Sequence, residues 1–488
     1  MVIDERRRAD ILRAATTEVA ARDQSEGLMK NFATILMVAT LFAAMILVFA
    51  AISSSGLRFE LNSNAVLTLL FFATALGVMI ASIFIRSFSL VDLLVMYFVA
   101  VSVGFSGFYE VATNAFPWPV VHDGTSIRYA LIVYSLFLAA YLVGHFSAGA
   151  IPVPKIHAIN SNRRYSTAML TMLCLTLVCL AIAGPSAFSP RAADDAVIAE
   201  GIRPQILQIG KSLCLTAWLF LLCSWLDKRR YAGLVISAGF MMLICFNPIT
   251  SPRFQFIAAV LATLSTLAIF TNPAPVVKAS VYCALFLANY IVFGPLKSLS
   301  AGISNFDTWA FNDLGSFLAD YAYRVDFDAM QVSANTLAYF DANGGFSFGY
   351  NLLGAVLFWV PRMFWPNKPM SESIEIHDSL GYEYTNLSFP LPMELYACAG
   401  LVSVVVLAFF FAFFIKRISL KTAAAQHFYS IRIEQTVLMA LLAGYMPIIM
   451  RGALNAVAPF FGFSFAAYVI IVILNRSFFR AARQSFHL

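Results

Sequence analysis

The sequence predicts an all-α polytopic integral membrane protein of about 12 transmembrane helices, with both termini inside and one large outer loop holding interfacial or re-entrant helices. Three observations carry this expectation. The 488 residues are 60% hydrophobic and only 12% charged, whereas soluble domains carry about 25% charged residues. Apolar runs recur that reach the roughly 17 to 25 residues a helix needs to cross a bilayer. Finally, Lys and Arg alternate between rich and poor connections along the chain, the pattern that fixes membrane orientation.

Residues 1–31 are polar and carry Arg6, Arg7, Arg8, Arg13, Arg22 and Lys30, which marks a cytoplasmic tail. A weak helical pattern at Ile11, Leu12, Ala15 and Val19 is open to two readings, a surface helix or a disordered tail. No small-residue cleavage site closes the first apolar run, so that run is expected to stay in the protein as a signal anchor. Spanning runs follow at about 32–52, 65–85, 90–108, 127–147, 167–184, 205–226, 231–247, 254–271 and 279–296, and then at 393–415, 433–450 and 457–475. The organisation is therefore nine helices over 32–296, a loop over 297–392, three helices over 393–475 and a cytoplasmic tail over 476–488.

The charges test that count. With the N-terminus inside, the inner connections hold the tail cations together with Arg86, Lys155, Arg163, Arg164, Lys228, Arg229, Arg230, Lys278, Lys416, Arg417, Lys421, Arg432, Arg476, Arg480 and Arg483, which is 21 of the 32 Lys and Arg residues. The other 11 belong to the outer set, long loop included, with Arg128 and Lys211 falling inside its flanking spans. Both termini are thus expected in the cytoplasm and the loop outside.

The pI near 8.9 reports this topology, and no basic stripe interleaved with aromatics points to nucleic acid. All seven cysteines lie within or beside apolar runs, with neither a disulfide framework nor a zinc spacing. The six histidines are scattered. Asp326 and Asp328 have a two-residue spacing, but a helix puts them on different faces, so no metal or other cofactor is expected. No internal repeat or low-complexity tract is present.

The outer connections hold the polar residues that matter. Phe116-Pro117-Trp118-Pro119 reads as an interfacial anchor at headgroup level. Asn247-Pro248-Ile249-Thr250-Ser251-Pro252 is a stiff turn that fixes where Arg253 emerges, either snorkelling to the headgroups or facing the bundle interior. Residues 313–332 carry apolar positions at helical spacing opposite Asp313, Asp320, Arg324 and Asp328, as expected of a helix on the outer surface or capping the bundle, with Arg324 paired to Asp320 and Asp328. Leu352 to Val360 is too short to span and ends at Pro361, so it delivers Arg362 and Lys368 near the outer surface. Residues 370–389, with Glu372, Glu375, His377 and Asp378, read as an ordered loop or lid.

Arg253, Arg324, Arg362, Lys368 and Arg451 recur on the outer side of a chain poor in charge. Cations held at the hydrocarbon boundary are functional candidates by default, and guanidinium groups suit phosphate or diphosphate because they grip it bidentately. In a membrane the natural diphosphate ligand is a polyprenyl diphosphate carrying sugar, and fixed arginines can neutralise its departure. Sugar transfer also needs a base. Glu394, at the mouth of the tenth helix, is the first candidate, with Asp326 and His377 behind it.

The run Pro361-Arg362-Met363-Phe364-Trp365-Pro366-Asn367-Lys368-Pro369, followed by Pro390-Leu391-Pro392-Met393-Glu394-Leu395-Tyr396 and Gly400, resembles the Wzy-type O-antigen and exopolysaccharide repeat-unit polymerases. Ser251-Pro252-Arg253 and Arg451-Gly452 are similar to that family too. The resemblance implies that a glycan on undecaprenyl diphosphate is moved onto a new lipid-linked repeat unit at the periplasmic face of the bacterial inner membrane, releasing undecaprenyl diphosphate. It implies that Arg253, Arg324, Arg362 and Arg451 hold diphosphate with help from Lys368, that Glu394 positions or deprotonates the acceptor, and that Trp365, Asp326 and His377 line the glycan. Membrane lipid, a flippase and a chain-length regulator of the same pathway are the implied partners. Two other classes stay open. A lipid-linked oligosaccharide flippase is expected to bind at the midplane on broken helices of two related halves. An O-antigen ligase shares the chemistry and differs in acceptor.

Overall fold

The computed structural model describes residues 31–46, 58–153, 166–184, 203–247 except 230, 251–289 except 271 and 272, 327–382, 387–425 and 429–485, with isolated positions 27 and 50. Most of these residues are helical, and no strand occurs among them. The helices are α1 Asn31–Ile46, α2 Ser63–Phe84, α3 Leu90–Thr113, α4 Gly124–Ala150, α5 Ser166–Ala183, α6 Arg203–Lys228, α7 Ala232–Cys245, α8 Arg253–Ser265 and α9 Pro275–Leu287. They continue as α10 Ala329–Asn343, α11 Tyr350–Val356, α12 Glu372–Ser379, α13 Leu391–Ala424, α14 Tyr429–Arg451 and α15 Leu454–Ser485. Each of the apolar runs read from the sequence coincides with one of these helices. Seven of them are long and apolar enough to cross a membrane, namely α2, α3, α4, α6, α13, α14 and α15, while α1, α5, α7, α8 and α9 are shorter apolar helices. The molecule is a helical membrane protein.

Without a hydrophobic difference between lipid and side chain, helices in a membrane associate through close packing, which small residues permit. Two glycines show this. Gly144 on α4 sits under the Phe409 backbone carbonyl of α13, where a Cβ would approach the oxygen to 2.2 Å. Gly444 on α14 meets the Ala258 carbonyl and Ala262 of α8, at 2.5 and 2.8 Å from such a Cβ. The α4–α13 and α8–α14 pairs pack closely for that reason. Helix α3 is buried almost all round. Its middle, Phe98–Phe105, is π-helical, and the extra residue in each wide turn rotates the following residues away from a straight α register.

Helix α13 is broken at Ala399 and Gly400, the glycine at φ 70°. Freed carbonyls inside a membrane need new donors, and they have them. The Ser347 amide donates to Ala397 O at 2.9 Å and the Phe348 amide to Cys398 O at 2.8 Å. Ser403 Oγ accepts from the Ala399 amide at 2.9 Å and donates to Leu395 O at 2.7 Å. The segment Leu391–Cys398 is thereby a separate short helix held at the end of the bundle by the chain just before α11.

A buried charge cluster ties the opposite end together. Asp92 at the start of α3 caps its own helix through Ser89, whose amide and hydroxyl donate to Oδ2 at 2.7 and 2.6 Å. Its Oδ1 accepts Tyr141 OH at 2.9 Å and lies 3.0 Å from His145 Nδ1. Phe88 stacks on the His145 ring at 4.4 Å. Around this carboxylate, Lys278 Nζ donates to Ser82 O and Ile85 O at 3.2 and 2.6 Å, and Lys416 Nζ donates to Ser87 O at 2.5 Å. The two ammonium groups thus bind carbonyls at the end of α2 and in the turn that follows, while feeling the Asp92 charge. Three turns that the sequence places on the inner side, at 86, 278 and 416, meet here.

One expectation changes. Most of the helix expected over 313–332, with Asp313, Asp320 and Arg324, lies outside the described residues; within its end and beyond, every residue of α10 from Ala329 to Leu337 is buried. Gln331, Ser333, Asn335 and Thr336 are all enclosed, and Gln331 and Asn335 clamp a loop. That loop is Trp118 to His122, which the sequence reads as a headgroup anchor. Gln331 accepts from the Trp118 amide at 2.9 Å, and Asn335 Oδ1 accepts from the Val121 and His122 amides at 3.2 and 3.0 Å. An anchor with free backbone amides is poorly placed in a dry setting, and α10 supplies the missing acceptors.

Candidate functional site

Asp328 opens α10 and is wholly buried. Its Oδ2 accepts from Trp118 Nε1 at 2.9 Å, and its Oδ1 accepts from Ser388 Oγ. Arg451 Nη2 lies 3.8 Å from the same Oδ1, with the arginine side chain 40% exposed. Asp328 therefore joins three separate segments and holds one face of Arg451 while the other faces outward. The Arg451 carbonyl also accepts from the Phe389 amide at 2.8 Å, beside a bridge between Ser388 and Gly452. This locks the approach to α13 onto the end of α14.

Glu110 faces this hub from α3. It is 1% exposed, neither oxygen has a hydrogen-bond partner, and the groups acting on it are the Asp328 carboxyl and the Gln331 amide. Glu394, in the first turn of α13, is in the same condition. It is 1% exposed and unpartnered at both oxygens, with the Glu372 carboxyl and the Leu454 amide acting on it. A buried carboxyl without partners costs several kcal/mol relative to water, on the order of 2–7 even for a neutral polar group. Such groups persist where they have a task.

Glu372, opening α12, is buried and accepts from Asn351 Nδ2 of α11. Burial pushes its carboxyl up from an ordinary 4.5 to about 7. Two residues before it, the chain is pinned to α15, since Asn455 Nδ2 donates to Pro369 O and Met370 O at 3.0 and 3.1 Å. The loop between α11 and α12 is tied by its own cations. Arg362 Nη1 donates to Lys368 O at 2.7 Å and Nη2 approaches Pro369 O at 3.5 Å. Lys368 Nζ donates to Phe358 O and Val360 O at 2.6 and 3.1 Å, and burial followed by the Arg362 charge holds its ammonium below the ordinary range. Trp365 Nε1 donates to Tyr350 OH at 3.1 Å. Arg362 thus meets Pro369, which Asn455 also holds, Glu372 acts on Glu394, and Arg451 meets Asp328, which acts on Glu110.

The structure thus brings Glu394, Arg362, Lys368, Trp365 and Arg451 into one region. His377 belongs to it through a stack, with its ring 5.1 Å from Tyr382 and Tyr382 6.1 Å from Trp118. Arg253 opens α8 at the same end, since Phe254 packs on Phe460 of α15 at 5.1 Å. Arg324 and Asp326 lie outside the described residues. Sequence reading overlooked Glu110, Glu372 and Lys211. The signal for Lys211 was a lone cation inside an apolar run. Glu110 was taken for a loop residue because the run was ended at 108.

Compared with family models, curated proteins and solved structures, the chain matches none. The site is read from its own geometry.

Proposed function

We propose that this protein polymerises oligosaccharide repeat units carried on undecaprenyl diphosphate, at the periplasmic face of a bacterial inner membrane. In this reading the chain crosses twelve times, with both termini in the cytoplasm, and the α10–α12 region faces the periplasm. The observation that supports it is a buried carboxyl, Glu394, close to the Leu454 amide and to Glu372, at the end of the bundle where Arg451 is 40% exposed and Arg362 and Lys368 tie the preceding loop. A hydroxyl of the incoming unit attacks the anomeric carbon of the growing glycan. The new glycosidic bond forms, the carbon–oxygen bond to diphosphate breaks, and Glu394 takes the hydroxyl proton. The leaving diphosphate carries the bonding pair away and is met by Arg451, with Arg253 and Arg324 as further ligands. Arg362 and Lys368 shape the loop that covers the glycan, and Trp365 and His377 border it.

Glu394 is closed off by α11 and α12, so the acceptor reaches it when α12 lifts. That is a lid motion of the sort that often gates transfer reactions. The partners in this reading are the lipid-linked glycan, a flippase that supplies it and a chain-length regulator.

One observation favours a second reading. The break at Ala399–Gly400 is the kind of discontinuous helix that transporters use at a binding site, and it supports a lipid-linked oligosaccharide flippase. Purified protein given synthetic lipid-linked repeat units separates the two. A ladder of longer lipid-linked glycans, reduced at least about 100-fold by Arg451→Gln as for lost oxyanion donors, is the expected result. Units that cross the bilayer without lengthening overturn the polymerase in favour of the transporter. Units neither lengthened nor moved overturn both.

A further inference from the structure

One buried carboxyl beside Glu394 has no part in the transfer step as described. Glu372 opens α12, and its Oε1 accepts from Asn351 Nδ2 of α11. Its buried Oε2 makes no hydrogen bond of ordinary length and angle among the described residues. The Ser347 hydroxyl, which donates to Ala397 O at 3.2 Å beside the break in α13, also acts on this carboxyl. Glu394 has no side-chain hydrogen-bond partner, and the groups acting on it are the Glu372 carboxyl and the Leu454 amide. Cys398, one turn further along α13, feels both carboxyls. Glu375 follows three residues after Glu372, so the two share one side of α12. It is exposed and acts on Glu372. The three acids therefore form a series that starts in the core at Glu394, passes Glu372 and ends in water at Glu375.

Among the described residues no cation acts on Glu372 or Glu394. Arg362 and Lys368 of the preceding loop bind carbonyls of that loop, and Arg451 is held toward Asp328. Asn455 from α15 is neutral and donates to Pro369 O and Met370 O. His377, on the same helix as Glu372, turns to Ser373 and Tyr382. Two carboxylates enclosed together without a cation repel strongly, so such a pair keeps a proton and titrates as a unit. A base buried this deeply also has to lose the proton it gains before it can act again.

We infer that Glu372 is the proton relay of this site: it keeps the pair's one proton while Glu394 stands as the carboxylate, and after transfer it passes the acceptor's proton from Glu394 toward Glu375 and water. This deepens the proposed polymerase reading and rests on it for the source of the proton. The acceptor O–H bond breaks and its proton joins a Glu394 oxygen. The proton already on Glu372 leaves for the Glu375 carboxylate or water, Glu394 hands its own to Glu372, and the pair is back to one proton. In this scheme Glu372 touches no substrate and acts through Glu394 as a positioning residue.

Infrared spectra of the full-length protein in nanodiscs, taken over a pH series, follow the carbonyl stretch of protonated carboxyl groups without any turnover. A carboxyl titrating at about pH 7 is expected, and it should vanish in Glu372→Gln. In Glu394→Gln, which removes the other half of the pair, the midpoint should fall by about one pH unit or more. A midpoint unmoved by Glu394→Gln, or a band that survives Glu372→Gln, overturns the shared proton. Elongation of synthetic lipid-linked repeat units then separates a relay from a structural prop. Glu372→Gln should lower kcat about tenfold or more with KM unchanged, and Glu372→Ala, which opens room for a small acid, should regain elongation as formate is added. A change in KM alone, or no gain with formate, overturns the relay. Glu375→Gln alters only an exposed side chain and keeps the test open if the buried variants misfold. It should slow elongation in dilute buffer and recover in concentrated buffer, and a native rate in dilute buffer overturns the exit path. A shared proton in a protein that builds no ladder removes the polymerase reading and leaves the pair. A ladder from a protein whose carboxyls titrate independently removes the relay and leaves the polymerase.

Discussion

The two ends of this bundle bury charge in opposite ways. At one end, Asp92 is answered by Ser89, Tyr141 and His145, with Lys278 and Lys416 nearby and each ammonium on backbone carbonyls. At the other, Glu110 and Glu394 are as deeply buried with no side-chain partner, only the Gln331 and Leu454 backbone amides acting on them. A satisfied cluster fixes one arrangement of helices and has little left to offer a ligand. An unsatisfied carboxyl is unfavourable for the fold and is available for chemistry. Burial alone does not mark a site, and the absence of partners does.

Substitutions sharpen or break that contrast. The largest effect is expected from Glu394→Gln, which should lower glycan elongation about 10²- to 10⁴-fold while leaving the unfolding temperature unchanged or raised. A drop in stability matching the drop in activity would place Glu394 with the Asp92 cluster instead. Asp92→Ala should do the reverse, costing about 3–5 kcal/mol because it strands Lys278 and Lys416 in the core. The loss should be seen as a lower unfolding temperature in detergent, with activity per folded molecule retained. Gly144→Ala pushes α4 from α13 and should cost about 1–3 kcal/mol, a packing control that affects neither charge cluster.

The smallest effect is in pH. Glu372 has a folded-state value raised by burial from 4.5 to about 7. The folded protein therefore holds this proton more tightly than the unfolded chain does. The stabilisation is full below about pH 4.5 and is lost as pH rises toward 7, on the order of 2–3 kcal/mol over that window. Glu372→Gln should flatten this slope in a pH series of unfolding midpoints. An unchanged slope would move the titration to another group.

Much of the architecture was legible because apolar runs report burial in lipid directly. Every run from 32–52 to 457–475 lies on a helix. Helix length was less legible. The run at 254–271 yields only Arg253–Ser265 before a 3-10 turn at Ala268–Phe270, since hydropathy does not record where backbone geometry changes. The cations of the site were legible as charges out of place, and so was Glu394. Their partners were not, because Asp328 meets Trp118, Ser388 and Arg451 across 210, 60 and 123 residues of chain. A sequence lists those residues without saying that they touch.

The shortness of α8 reaches beyond the protein. Its 13 residues span roughly 20 Å at 1.5 Å each, against about 30 Å of hydrocarbon in an ordinary bilayer. Helices α7 and α9 beside it in sequence have 14 and 13 residues. Lipids bordering such a stretch must compress or tilt to match it, at fractions of a kcal/mol per Å of mismatch. In the proposed twelve-crossing reading the bilayer thins around this stretch, and headgroups sit closer to Arg253 than elsewhere. Acyl-chain length becomes an input to the molecule: short-chain membranes suit it at rest, and long-chain ones must be bent to receive it.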